Sequence, residues 1–223
     1  GALLLSPGVG FNFKMGLLYR ASQALRFGFA FHTPTSFNLD DEFELDIAYT
    51  FTDNQGAFTG VGESDPGFFS YRLRTPWRLF GNAGFLINKV GFISAEVEWV
   101  DYGNANFRYD EFPQDEQIVN DEIATSLKSV FNVRIGGEFA YQLFRFRAGL
   151  GLLPSPFQDE SELNYSYSAG LGVRFEKVFI DFAWRNRSTS SGYVPYGTFE
   201  QPQQFVFNEF SNHQLILSLG IRY

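Results

Sequence analysis

What most constrains this chain is an alternation of apolar and polar residues at period two, repeated in segment after segment. From 127 to 141 the odd positions read Leu127, Ser129, Phe131, Val133, Ile135, Gly137, Phe139 and Tyr141, against Lys128, Asn132, Arg134 and Glu138. From 163 to 175, Leu163, Tyr165, Tyr167, Ala169, Leu171, Val173 and Phe175 oppose Asn164, Ser166, Ser168 and Arg174. The last segment sets Leu215, Leu217, Leu219, Ile221 and Tyr223 against Gln214, Ser218 and Arg222. Successive side chains of a strand point to opposite faces, so the pattern specifies strands with one greasy and one polar side. The longest apolar run is the four residues of Ala2 to Leu5, whereas a membrane-spanning helix needs about 20. A helical membrane protein is excluded; a transmembrane barrel, which hides its apolar surface in alternation, is not.

A soluble β-sandwich also alternates, because one face of each sheet packs on a core. The link lengths decide between the two. Ala21 to Ala24, Asn88 to Val90, Gln142 to Phe144 and Glu176 to Lys177 are tight, while 34–66, 108–125, 154–162 and 188–210 are long. Outer-membrane barrels sort their connections in this way, with short periplasmic turns and long outside loops. The expected fold is therefore all-β, an antiparallel transmembrane β-barrel of outer-membrane type in the bacterial outer membrane, in contact with membrane lipid and lipopolysaccharide.

Charge follows the same division. The four long links hold 19 of the 25 carboxylates and one of the 17 basic side chains, so they carry −18 and the rest of the chain +10. Within the segments Arg78, Glu96, Glu98, Lys128, Arg134, Glu138, Arg145, Arg147, Arg174, Asp181, Arg185 and Arg187 fall opposite the apolar face. They read as the paired, partly hydrated wall of a lumen, since an Arg or Lys facing lipid at mid-depth costs about 2–4 kcal/mol. Tyr19, Trp77, Trp99, Tyr102, Tyr141 and Trp184 suit the aromatic girdles at the membrane surfaces.

Nine spanning segments result: 8–20, 25–33, 67–87, 91–107, 126–141, 145–153, 163–175, 178–187 and 212–223. Residues 43–52 alternate as well, and are placed in a hairpin or strand extension above the membrane. Nine is odd, while single-chain bacterial barrels are even-numbered and closed. The chain is accordingly expected to be one β-barrel domain over 1–223 that forms the C-terminal part of a larger barrel.

Three stretches carry a family resemblance: FGFAFHTPTSF from Phe27 to Phe37, YRLRTPWRLFGNAGF from Tyr71 to Phe85, and VEWVDYGNA from Val97 to Ala105, with LGIRY at the end as a closing strand. They resemble the outer-membrane long-chain fatty-acid transporter family known as FadL/TodX. That resemblance implies a 14-stranded barrel with an N-terminal hatch, of which this chain would supply the last nine strands without the hatch or first strands. It implies uptake of long-chain fatty acids or other hydrophobic small molecules, with segment 34–66 shaping an outside groove. Phe37, Leu39, Phe43, Leu45, Ile47, Tyr49, Phe51 and Phe58 are the groove candidates, with loop packing as the alternative role. Arg134, Arg145, Arg147, Arg174 and Arg185 are candidate anchors for a ligand carboxylate, which is costly to bury unpaired. A second aromatic cluster, Tyr193, Tyr196, Phe199, Phe205, Phe207 and Phe210, is expected in a loop over the mouth.

Other chemistries are poorly supplied. The absence of cysteine removes disulfides, thiolate metal sites and cysteine nucleophiles, and net charge −8 is wrong for a nucleic-acid binder. His32 and His213 are the two histidines, both placed at segment ends as interfacial residues instead of catalytic bases. The acidic clusters at 40–46 and 110–116 lack EF-hand order and read as solvated loops. No enzyme activity, cofactor or metal is expected. The alternative expectation is a barrel subunit whose loops bind a partner protein in secretion or surface assembly.

Overall fold

The structure, a computed structural model, describes residues 2–53, 56–193 and 206–221. Its strands are β1 (Ala2–Leu5), β2 (Gly8–Phe11), β3 (Lys14–Arg20), β4 (Leu25–His32), β5 (Ser36–Asp53), β6 (Gly56–Glu63), β7 (Gly67–Arg74) and β8 (Arg78–Ile87). There follow β9 (Gly91–Asp101), β10 (Asn106–Tyr109), the helix α1 (Pro113–Ser126), β11 (Ser129–Tyr141), β12 (Phe144–Pro154), β13 (Leu163–Arg174), β14 (Val178–Tyr193) and β15 (Val206–Ile221).

The wall is an antiparallel nine-stranded sheet in the order β15-β14-β13-β12-β11-β9-β8-β4-β3. Each of the nine expected segments supplies one of these strands. Tight turns join them at one end. Ser22 Oγ accepts from the backbone of Ala24 and Leu25, and Asn88 and Gln142 take positive φ (48° and 51°) to reverse the chain in little space. At Gly91 a Cβ would collide with the Glu138 carbonyl, so only glycine lets β9 enter beside β11 there.

One face of the wall is unmistakably a lipid face. Phe29, Phe131, Ile135, Phe139 and Leu217 remain 51, 59, 50, 51 and 74% exposed, while the buried apolar set among the described residues is only Val100, Val130 and Leu153. A sandwich would bury these rings in a core; here the surrounding hydrocarbon takes that role, and every ladder hydrogen bond lies within the sheet. This is the architecture of an antiparallel transmembrane β-barrel wall.

Four adjacent wall strands continue beyond it into a second sheet, in the order β1-β5-β7-β10, with β2 and β6 also paired to β5. β2 leads into β3, β4 into β5, β7 into β8 and β9 into β10. The joint between the sheets contains an insertion. Lys14 pairs with His32 and Phe11 with Ser36, so three steps along one strand match four along the other. Thr33 N–H still donates to Phe13 O at 2.9 Å, which leaves Pro34 and Thr35 together opposite Asn12. That is a β-bulge, and the alternation changes phase across it. The neighbouring strand bulges in step at Pro76: Thr35 N–H donates to Thr75 Oγ1 at 2.8 Å and Thr75 N–H to Thr35 O at 3.0 Å. Proline suits both positions because it has no amide to leave unpaired. Asn12 closes the joint by donating to Thr35 Oγ1 (2.9 Å), and Trp77 stacks on Phe31.

The consequence is a reversal of faces. In the wall, odd residues of β4 (Phe27, Phe29, Phe31) face lipid. β2 and β3 keep one phase, so Gly10 lies on the lumen side with Leu18, and Phe37 packs directly over Gly10. Odd residues of β5 therefore face the mouth of the lumen.

Three expectations need correction. The link 34–66 is built mainly of strand, with β5 and β6 forming the hairpin around 43–52 that the alternation indicated. The link 108–125 is not a loop but mostly α1, and Glu116, read as part of a solvated acidic cluster, has a structural partner. Asn120 accepts from Phe107 N–H (2.8 Å) and donates to Phe107 O (2.9 Å), and Glu116 accepts from Tyr109 N–H (2.9 Å). These side chains stand in for a neighbouring strand along the free edge of β10, where an unpaired edge would recruit another chain. Finally, β14 and β15 pair as far as Tyr193 and Val206, so the mouth link is shorter than 188–210. Of the second aromatic cluster, Phe207 and Phe210 belong to β15, while Tyr196, Phe199 and Phe205, like the terminal Tyr223, lie outside the described residues.

Ile135→Arg should destabilise the folded protein by about 2–4 kcal/mol in a bilayer, the cost of a cation on the lipid face, with Ile135→Leu nearly silent. Reversible unfolding in urea from lipid vesicles measures both. Asn120→Ala should accelerate amide exchange at Phe107 selectively, leaving the wall protected, as hydrogen-exchange mass spectrometry would show.

Candidate functional site

The lumen face of the wall carries two ion-pair clusters. In the first, Glu98 is 4% exposed and holds Arg134 (2.8 Å) and Arg78 (3.6 Å), while Arg134 also reaches Glu96 (2.8 Å) and Asn132 donates to Glu98 at 3.3 Å. In the second, Arg147 bridges Glu138 (2.7 Å) and Asp181 (2.6 Å), Arg174 reaches Asp181 (2.9 Å), and Arg145 lies 3.7 Å from Glu138 while donating to the carbonyls of Gln142 and Phe144. Cross-strand register brings these groups together. Glu96 lies opposite Arg134, Glu138 opposite Arg147, and Asp181 is joined through Gly172 to Arg145 in one row. Gly172 has no side chain to block the crossing, and the Asp181 carboxylate occupies the space a Cβ would take.

Four of the five arginines singled out in the sequence, Arg134, Arg145, Arg147 and Arg174, are thus already neutralised by carboxylates. Arg185 is not: among the described residues it has no ion pair. It borders a trough of about 740 Å³ that crosses the lumen face from Leu18 and Arg26 to Ser168 and Arg185. The floor follows one cross-strand row, Gly84, Ser94, Gly136, Gly149 and Ser168, between the two charged clusters. Arg26 was not singled out in the sequence, though it occupies the lumen phase of its segment.

Above the wall, the mouth-facing side of the second sheet is apolar. Phe37, Phe43 and Tyr49 lay their rings, and Leu39 its methyl groups, over Gly10, Gly67, Gly60 and Gly8 of adjacent strands, covering backbone that a glycine leaves bare. Phe69, Tyr71, Phe107, Tyr109 and Phe112 form a continuous aromatic cluster beside them, with centroid separations of 5.1–6.4 Å. The distal part is open: Phe43, Leu45, Ile47, Tyr49, Phe51 and Phe58 are 41–63% exposed. Phe37 and Leu39 are half-buried in packing and form the base of this face. Segment 67–87 reads as a single spanning strand in the sequence, so Phe69 and Tyr71 escaped notice; Pro76 inside it was the available signal.

Burial and the neighbouring Asp41 push the Tyr71 phenol above its ordinary value of 10.0, and burial with Asp115 and Glu116 does the same for Tyr109. One oxygen of Asp41 is itself buried without a hydrogen-bond partner.

Among the described residues neither histidine has a carboxylate as hydrogen-bond partner. His32 packs on Phe80 in the wall (4.7 Å between centroids). His213 stacks on Trp184 on the lipid side, where the buried Asn186 donates to Ser211 (2.7 Å) beside it. This polar cluster ends the greasy stripe of β14 and β15. Among the described residues no group of His, Asp and Glu is arranged to hold a metal ion.

No family model matches the sequence, and no curated protein matches it. Among solved structures, the chain is similar to one described as the CymD monoaromatic hydrocarbon channel, with 13% identity and a TM-score of 0.51. The match covers 94% of this chain and 50% of that one, so the chain spans about half the length of that channel. At this identity the likeness shows the fold: a wall of the kind found in that membrane channel.

Both phenols have raised pKa values, so the neutral forms favour the folded mouth sheet. That contribution is intact below pH 10 and is lost as pH rises beyond it, because the unfolded phenols ionise first. Tyr71→Phe should reduce this alkaline loss, as read by amide exchange of β7 across the range. Glu98→Leu should destabilise the wall by about 1 kcal/mol, because Arg78 loses its carboxylate while Arg134 keeps Glu96 and both arginines retain contact with water, as measured by unfolding from vesicles.

Proposed function

We propose that this chain forms part of an outer-membrane channel for the uptake of hydrophobic small molecules, long-chain fatty acids among them. The observation that carries the reading is the change of face at the Pro34 and Pro76 bulges. Below it, apolar side chains face lipid and the lumen is polar. Above it, apolar side chains face the mouth, where hydrocarbon from the medium first arrives. Much of this apolar surface stays exposed beyond its packing on the glycine backbone, which suits a ligand that water rejects. The fold likeness to a hydrocarbon channel accords with this.

Phe43 and Leu45, on the open part of the mouth face, are the proposed capture residues, with Phe37 and Leu39 supporting them from below. For a ligand with a carboxylate, Arg185 is the proposed anchor, since no described carboxylate pairs with it. The other four candidate arginines hold the wall together and contribute field without offering a free partner.

The wall belongs, in this proposal, to a larger closed barrel. β3 and β15 each have an unpaired edge among the described residues, and an open edge in hydrocarbon leaves amides and carbonyls without partners. Lipid and lipopolysaccharide surround the outer face.

Titration of a long-chain fatty acid into the complete polypeptide tests the reading. Phe43→Ala combined with Leu45→Ala should weaken binding by about tenfold, the equivalent of roughly 1.4 kcal/mol. Arg185→Gln should weaken the fatty acid but not its methyl ester. Unchanged affinity in a folded double variant would refute the capture role.

A further inference from the structure

The wall's cations are unevenly satisfied. On the lumen face of the nine strands lie Lys14, Arg20, Arg26, Arg78, Arg134, Arg145, Arg147, Arg174, Arg185 and Arg187, against Glu96, Glu98, Glu138 and Asp181. All four carboxylates belong to the clusters on β8, β9 and β11–β14. The first two strands have none. There Arg20 and Arg26 stand directly opposite each other in the register, two like charges in one cross-strand pair. Such a pair is destabilising by itself. Arg26 Nε is buried with no hydrogen-bond partner, and neither arginine has an ion pair among the described residues. The other edge of β3, next to Arg20, is unpaired.

We infer that the strand that pairs with the free edge of β3 presents a carboxylate to the lumen in the row of Arg20 and Arg26, converting a repulsive pair into a cation–anion–cation cluster. This rests on the proposal that the wall is completed by further strands. The pattern already in the wall supports it: Asp181 serves Arg147 and Arg174, and Glu98 serves Arg134 and Arg78, each one acid shared by two arginines. A small anionic ligand is the competing partner. Position argues against it, because Arg20 lies one residue from the tight turn at 21–24, at the end of the wall away from the apolar mouth face.

The sign of a charge-removal effect distinguishes these cases. In the complete, delipidated polypeptide, Arg20→Gln and Arg26→Gln are compared with wild type by the temperature at which the folded form converts to the unfolded form on electrophoresis. A carboxylate partner predicts that each variant lowers the midpoint by about 2–4 °C, with Arg26→Lys near wild type. An unrelieved like-charge pair predicts that removal leaves the midpoint unchanged or raises it, which would overturn the inference. A loss seen only when fatty acid is added would overturn it in favour of the ligand. Carbodiimide coupling of the Arg20→Lys variant, followed by peptide mass spectrometry, should yield a cross-link to an Asp or Glu outside the 223 residues; cross-links confined to acids within them would also overturn it. An intact mass of the complete polypeptide equal to 25.4 kDa would instead defeat the larger-barrel reading on which this rests.

Discussion

A backbone amide in hydrocarbon has no water to bond, and leaving it unpaired costs several kcal/mol, so a sheet that crosses a bilayer must satisfy itself strand by strand. The architecture of this chain follows from that demand. Nine strands pair in sequence order with tight turns at one end, and the side chains then have only two places to go. Those facing out meet lipid and are apolar; those facing in meet water and each other. The two ion-pair clusters are possible because the inward face holds alternating charge and glycine, which lets Asp181 and Arg147 reach across Gly172.

The bulges at Pro34 and Pro76 adapt this scheme where the strands leave the membrane. Outside, water satisfies the backbone, and the apolar face is no longer needed against lipid. A one-residue insertion turns that face inward without breaking the strand order. The same chain thereby makes a wall that is greasy outside and a mouth that is greasy inside. Edge protection changes with the setting as well: within the mouth sheet β10 ends against Asn120 and Glu116, a solution available only where polar side chains tolerate solvent.

Much of this was legible in the sequence. Period-two patterns in segments such as 127–141 and 163–175 sufficed to place the nine wall strands, and the sorting of short and long links distinguished barrel from sandwich. The phase change was not legible, because a one-residue insertion at Thr33-Pro34-Thr35 looks like the start of a loop when its partner strands are unknown. Helix α1 was hidden for a related reason. Its apolar residues Ile118, Val119 and Ile123 form no broad stripe, and what fixes it is the tertiary bonding of Asn120 and Glu116 to β10. For the candidate arginines the sequence could not tell which charges were spoken for; that depends on register, which places Glu96 opposite Arg134 and Glu138 opposite Arg147.

The reversal of faces at the bulge is the central claim, and it is directly measurable because these 223 residues hold no cysteine to compete with an introduced label, any cysteine elsewhere in the protein being replaced first. Single cysteines at Phe29 and Leu39, two odd positions of one continuous strand pair, would be labelled with a fluorophore in the complete protein reconstituted in vesicles. Quenching by lipids carrying bromine on their acyl chains should be strong for the Phe29→Cys label and absent for the Leu39→Cys label, with the second quenched instead by a water-soluble agent. Equal quenching of both labels by the brominated lipid would contradict the change of phase, and with it the apolar mouth on which the functional reading stands.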